Sequence, residues 1–393
     1  MAAFDFDTVY DRKNTGSLKH DFARARGLPE DVLPMWVADM DFRSPECVIE
    51  ALIARARHGI FGYSEAPNGY FEALEKWFSE RHGWKARPNW LVKAPGVVYA
   101  IAQAVRAFTE PGEAVLIQEP VYYPFRQVVE SNGRRLVVSE LIYENGAYQI
   151  DFEDFEEKIR ENNARLFILC SPHNPVGRVW TRRELERVAE ICLRHGVLVI
   201  SDEIHADFVY PGHKHTVYAA LGPEAERNAI VCTAPTKTFN LAGLHIANIF
   251  IPDPALRERF KGEVARSGMS QLNTMGLAAC KAAYEGGGPW LDALMEYLGG
   301  NLAFMRAFIH DRLPRVRLVE PEGTYLVWAD FRALGLSVHE LEDFIVHKAR
   351  LWLDGGTMFG ESGAGFQRFN IACPRAVLQE ALERLERAFN EIK

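Results

Sequence analysis

Short apolar runs alternate with stretches whose apolar positions recur every three or four residues, and this alternation fills the middle of the chain. Ala114–Gln118, Arg165–Cys170, Val197–Ser201, Ala229–Cys232 and Ile246–Ile251 are apolar over most of their length, as strands buried on both faces are. Between them the spacing predicts helices. Val98, Ile101, Val105 and Phe108 mark one over 97–108, preceded by Ala94-Pro95-Gly96, and a second follows Pro124. A third begins at Thr181, which forms a capping box with Glu184, and stops at Gly196. Apolar strands separated by helices imply a mostly parallel sheet covered on both sides.

The flanks read differently. Residues 1–45 hold few regular elements, punctuated by Pro29, Pro34 and Pro45, with Met35–Met40 as the apolar stretch. Helices are predicted over 45–58 and 69–81, the second with Phe71, Leu74, Trp77 and Phe78 on one face, and Gly59–Ser64 is a turn-rich loop. From about residue 286 long helices surround a few strands such as Thr324–Ala329. A chain of 393 residues exceeds one hydrophobic core. The expected architecture is therefore an α/β large domain, 46–285, and a smaller α+β domain, 286–393, which the segment 1–45 joins.

Composition narrows the possible partners. Hydrophobic content of 48% with 25% charged residues is ordinary for a globular protein. A net charge of −8, with Lys and Arg scattered, argues against nucleic acid or an anionic membrane as partner. Met1-Ala2-Ala3-Phe4-Asp5 lacks a basic and apolar leader pattern, so no signal peptide is expected. No apolar run reaches membrane-spanning length. The six cysteines show no CxxC pair, and Cys170 and Cys232 lie in strand-like runs, which suggests buried free thiols in a reducing cytoplasm. His213-Lys214-His215 has no third ligand at metal spacing and reads as a surface loop, so no metal is expected.

The candidate chemistry follows three of the strands. Asn174 comes after 165–170 within Ser171-Pro172-His173-Asn174-Pro175-Val176-Gly177, Asp202 after 197–201, and Lys237 after 229–232. Taken singly, Asn174-Pro175 reads as a turn, Asp202 as a helix cap and Lys237 as a solvated side chain. Together they place an amide, a carboxylate and an amine at one edge of the sheet, where open α/β sheets bind ligands. Small and hydroxyl residues crowd Lys237, and desolvation lowers a lysine pKa and frees its nucleophile. One cofactor needs this set. Pyridoxal phosphate (PLP) takes a lysine for its Schiff base, an acid for its ring nitrogen and a donor near its phenolic oxygen. Gly96, opening the helix at Val97, offers free N–H groups to a phosphate. Tyr122 and Tyr123 follow another strand, where an aromatic ring can stack on the pyridine.

These motifs carry a family resemblance. The Ser171–Gly177 stretch, Ser201-Asp202-Glu203-Ile204-His205 and Thr236-Lys237-Thr238-Phe239-Asn240-Leu241-Ala242-Gly243 are similar to the signatures of fold-type I PLP enzymes. The chain resembles the MalY/PatB group of carbon–sulfur lyases, related to class I/II aminotransferases, in further stretches as well. These are Thr15-Gly16-Ser17-Leu18-Lys19, Trp36–Phe42, Phe61-Gly62-Tyr63 and Arg368-Phe369-Asn370-Ile371-Ala372-Cys373-Pro374-Arg375.

The resemblance implies a three-layer α/β/α large domain, a smaller α+β domain and a set of roles. Lys237 would hold the cofactor and shuttle the α-proton, Asp202 would pair with the ring nitrogen and Asn174 with the phenolic oxygen. Tyr122 would stack on the ring, with Tyr123 close by. Val97 and Val98 would give backbone N–H groups to the phosphate, joined by Tyr63 from the other subunit of a homodimer with shared active sites. Thr236 and His245 would add phosphate contacts. Arg368 would hold the substrate carboxylate as a bidentate fork, with Tyr123, Val37 and Ala38 lining the substrate site. His205 stands where aminotransferases commonly carry Tyr, and His245 where they commonly carry Arg; both departures match the lyase group. The implied reaction is β-elimination from an L-cysteine S-conjugate such as cystathionine, giving pyruvate, ammonia and a thiol. The alternatives are an aminotransferase, and a regulatory protein that keeps the fold without turnover.

Overall fold

The computed structural model describes residues 4–391; residues 1–3, where the stretch read for a leader begins, and residues 392–393, the end of the expected small domain, lie outside the described residues. Its centre is an eight-stranded sheet in which the strands beginning at Leu91, Ala247, Ala229, Leu198, Leu166, Ala114, Arg135 and Ala147 lie side by side in that order. The strands from Ala229 through Arg135 are parallel. Ala247–Phe250 is antiparallel to both of its neighbours, and Ala147–Ile150 is antiparallel to Arg135–Glu144.

Every residue of Leu166–Cys170, Leu198–Asp202 and Ala229–Thr233 is buried, because alternate side chains face two helical layers. Ile117, Ile168, Ile200, Ile230 and Ile249 pack with Ile101, Val105 and Phe260 of the helices Val97–Phe108 and Pro254–Arg266. Leu116, Phe167, Val199, Val231 and Phe250 face the other way, toward Phe155, Leu185, Val188 and Leu294. A continuous apolar run is the cost of being covered twice.

A second, antiparallel sheet is made of Arg317–Leu318, Leu326–Asp330, Phe366–Asn370 and Asp354–Gly355. Leu302, Met305 and Phe308 of the helix Gly288–Arg312 share its core with Leu378, Leu382 and Leu385 of Arg375–Asn390. The N-terminal segment reaches this part of the molecule through Leu33–Pro34, which pairs in parallel with Leu351–Trp352.

The helices Glu46–His58, Tyr70–His82, Val97–Phe108 and Arg182–His195 stand where the periodicity predicts them. Both hydrogen bonds of the Thr181–Glu184 capping box form, and Gly196 ends that helix in the left-handed region at φ 66°. Leu91–Ala94 and the hairpin of Arg135–Glu144 with Ala147–Ile150 are strands that the apolar runs do not reveal. Several of their residues are exposed or only partly buried, and Lys93, Arg135, Glu140, Glu144 and Gln149 interrupt the apolar pattern. The reading of 213–215 as a surface loop fails at His215. That side chain is buried, and its Nε2 lies 2.9 Å from Glu203 Oε2 because the loop folds inward behind the strand ending at Asp202. Among the described residues no helix is long and apolar enough to cross a membrane.

Candidate active site

Three adjacent parallel strands end on one side of a cavity of about 460 Å³, and their ends carry Asn174, Asp202 and Lys237. Asp202 is the last residue of its strand, and Lys237 sits in the short helix Pro235–Thr238 that follows the next one. The cavity is also lined by Ala38, Gly96, Val97, Val98, Tyr122, Cys170, His205, Thr236 and His245. All of these but Cys170 are sequence candidates, and they share the site.

Lys237 Nζ donates to the carbonyl oxygen of Ala38 at 2.7 Å. Burial lowers the amine to about 8; Asp39 opposes that, Arg368 adds to it and Asp202 opposes it. Asp202 moves the other way: burial raises its carboxyl to about 7, against the Ile204 N–H bonded to Oδ1 and the charge of Lys237. His205 is pushed down to about 3, by burial first and then by Lys237 and Arg368, so its ring is neutral. Burial raises the Tyr122 phenol well above its ordinary range.

The segment carrying Ala38 is held from two sides. Asn240, in the loop after Lys237, accepts from Met40 N at 3.0 Å and donates to the carbonyls of Met40 and Phe42, each at 2.9 Å. Asn370 donates to the carbonyls of Val37 and Asp39 at 2.7 and 2.6 Å. Asp39 and Asp41 are bound by Arg12 and Lys19, whose buried ammonium lies 2.7 Å from Asp41. The Thr15–Lys19, Trp36–Phe42 and Arg368–Arg375 stretches thus serve one purpose: they hold a backbone carbonyl against the lysine.

Arg368 is buried, not a surface charge, with 2% of its area exposed. Its Nη1 donates to Asn174 Oδ1 at 2.9 Å, and its Nη2 to the Trp36 carbonyl and to Asp354. Because the Asn174 oxygen is taken by Arg368, the amide nitrogen is left to donate into the cavity. Tyr123 is half-buried beside Tyr122, with ring centroids 5.5 Å apart. Val37 packs its side chain with Trp36 and Trp352, and its carbonyl accepts from Asn370 and from the Asp39 N–H. Tyr63 is absent from this chain's cavity; it is 97% exposed, beside Phe61 and Ser270–Met275. Sequence reasoning missed Tyr325, which donates to the Ala38 carbonyl at 3.1 Å, and Asp354, Asn240 and Cys170. No local pattern marks them, since each acts on a partner distant in sequence or, for Cys170, reads as plain core.

Several polar groups around the cavity await a partner. His205 Nδ1 is buried with none, Asp202 Oδ2 and the Asn174 amide nitrogen have none among the described residues, and no side chain caps the helix at Val97. The carboxylate, amide and free helix N-terminus suit a ring nitrogen, a phenolic oxygen and a phosphate, so the donor set fits PLP.

A desolvated lysine and a buried carboxylate at the strand ends of a doubly covered sheet define a ligand-binding α/β protein with a nucleophilic amine. The chain matches the family described as aminotransferase class I and II over residues 30–385, and it belongs to that family. It is 46% identical to cystathionine beta-lyase PatB of Bacillus subtilis (strain 168), over 98% of this chain and 100% of that protein. It is 34% identical to protein MalY of Escherichia coli (strain K12), over 99% and 100% respectively. The structure superposes on that of cystalysin from Treponema denticola, which contains pyridoxal 5′-phosphate, with a TM-score of 0.96 and 39% identity over all of both chains.

Proposed function

We propose that this protein is a PLP-dependent carbon–sulfur β-lyase that converts an L-cysteine S-conjugate to pyruvate, ammonia and a thiol. The observation that carries the reading is Lys237, a desolvated amine bonded to the Ala38 carbonyl in the cavity it shares with the Asp202 carboxylate. PatB, the relative named cystathionine beta-lyase and matched over nearly the full length of this chain, supports the reaction class.

Asp202 would hold the proton of the ring nitrogen, Asn174 and His205 would bind near the phenolic oxygen, and Tyr122 would lie on the ring face. The free N–H groups of Val97 and Val98, with Thr236 and His245, would hold the phosphate. When bound, PLP supplies an electron sink for the pair left at the substrate α-carbon. The residues of the chain do the rest. Arg368 grips the substrate carboxylate and fixes the Cα–H direction. Lys237, whose burial lowers its pKa to about 8 and so eases loss of its proton, takes the α-proton once deprotonated. The sulfur then leaves the β-carbon as a thiolate, and the burial of Lys237, Asp202 and Arg368 limits water around them.

The reading includes a dimer. Tyr63, with the exposed Ile60 and Phe61 beside it, is supported as the partner subunit's contribution to the phosphate site. It also treats 46–285 as the cofactor-binding unit and 286–393, with 1–45, as the unit that brings Arg368.

The test follows the absorption of purified protein with L-cystathionine while pyruvate and free thiol are measured together. Release of both in equal amounts is expected. A protein whose cofactor absorption bleaches without either product would be an aminotransferase, and a colourless protein would overturn the cofactor assignment.

A further inference from the structure

Arg368 reaches its site with its best hydrogen bonds already made. A guanidinium grips a carboxylate through two parallel N–H bonds, from Nη1 with Nη2 or from Nε with Nη2, because its own Cδ blocks the remaining edge. Both forks use Nη2. The two Nη2 hydrogens point at the Trp36 carbonyl, 3.0 Å away, and at Asp354 Oδ2, while Nε is buried without an acceptor. A substrate carboxylate that binds through two bonds must therefore displace one of these partners.

The two differ in freedom. The Trp36 carbonyl belongs to backbone pinned on both sides, with Met35 N donating to Trp352 at 2.9 Å and Asn370 donating to the Val37 carbonyl. Asp354 is a side chain. It faces Arg368 directly across the strand pair Asp354–Gly355 and Phe366–Asn370 and is itself buried. An alternative cation stands nearby. The Arg26 guanidinium lies over the rings of Trp36 and Trp352, at 4.9 and 5.7 Å, and that side chain makes no hydrogen bond or ion pair among the described residues. Its charge acts on both Asp354 and Tyr123.

We propose that Asp354 is a specificity-determining residue: it occupies the carboxylate fork of Arg368 in the substrate-free enzyme and yields it, turning toward Arg26, when an amino-acid carboxylate arrives. The inference rests on Arg368 being the carboxylate grip of the proposed function. A tethered carboxylate competes at high effective concentration with any free one. Simple carboxylic acids, the pyruvate product among them, have only the fork to bind and lose that competition. An amino acid also engages the cofactor through its nitrogen and wins it.

The experiment uses the holoenzyme. Asp354→Asn keeps the shape and an acceptor oxygen and removes the charge. Two quantities are measured: propionate binding by calorimetry, and KM and kcat for L-cystathionine. The variant is expected to bind propionate about tenfold more tightly and to show a lower KM, tenfold being the scale of one charge-assisted contact. Weaker or unchanged propionate binding with a raised KM would make Asp354 a brace for Arg368 and overturn the proposal. Should Asp354→Asn not fold, Asp354→Ser faces the same two outcomes. Arg26→Gln, which removes the alternative partner, is expected to weaken propionate binding, and no change there would also overturn it. Arg368→Lys separates the two readings: if propionate affinity and KM stay unchanged in that variant, the carboxylate assignment of the proposed function fails first.

Discussion

An amine packed among apolar atoms gives up its proton more easily than one in water, and for Lys237 this has a consequence for stability. Its value near 8 lies below the 10.5 of an unfolded lysine. Between those two pH values the unfolded chain holds the extra proton, so this group opposes folding most below about pH 8, and stability rises with pH up to about 10.5. With both proteins stripped of cofactor, the unfolding free energy of wild type relative to Lys237→Met should rise by roughly 3 kcal/mol across that window. Denaturant titrations at several pH values check this, and a flat difference would mean a solvated amine. Asp202→Asn removes the charge that would hold the ring proton. Its kcat for pyruvate release should fall about 10²-fold, the factor of one strong charge-assisted hydrogen bond. Full activity in that variant would mean that the ring nitrogen is served elsewhere.

The elements around the site are stiffened by side chains that bond to backbone rather than to each other. Asn240 closes three hydrogen bonds on Met40 and Phe42, and so ties the segment carrying Ala38 to the loop carrying Lys237. Asn240→Ala should cost about 1–3 kcal/mol, because polar backbone groups lose their partners. It should also raise KM, since Ala38 would drift from the lysine; a chemical denaturation curve and steady-state kinetics check the two parts. At this scale the sequence is legible where local signals agree. The helix after Thr181 has a capping box, an apolar stripe and a terminal glycine, and it forms as read. The Arg135–Glu144 strand is not legible, because as the partner of an edge strand it is only partly covered, and Ser139 and Glu140 break its apolar run in the middle.

At the scale of the whole molecule, the exposure of Tyr63 gives the proposed dimer a sharp test. If the residue completes the partner's phosphate site, Tyr63→Ala and Lys237→Ala are defective in different subunits. A hybrid of the two holds one intact site and one doubly defective site. Refolding the variants together in equal amounts should then restore up to about a quarter of wild-type activity, from random pairing of subunits in a two-fold dimer. Activity no higher than the sum of the separate variants would place Tyr63 outside the partner's site.

The sequence by itself determined the order of events along the sheet. Asn174, Asp202 and Lys237 follow three successive apolar runs, and short right-handed connections leave parallel strands with their ends on one side, so the three side chains converge whatever surrounds them. The helix at Val97 was legible for the same reason, since its spacing and its opening glycine are local. The tertiary structure alone decided the state of those groups and the rest of their company. That Lys237 gives up its proton more readily, that His205 is neutral and that Asp202 holds its proton more tightly are effects of burial, which depends on everything packed around a group. The Ala38 carbonyl on the amine, Tyr325 beside it and Asp354 in the fork of Arg368 are contacts between distant or cross-strand positions. No periodicity records such pairs, because they exist only once two sheets and the N-terminal segment have packed together.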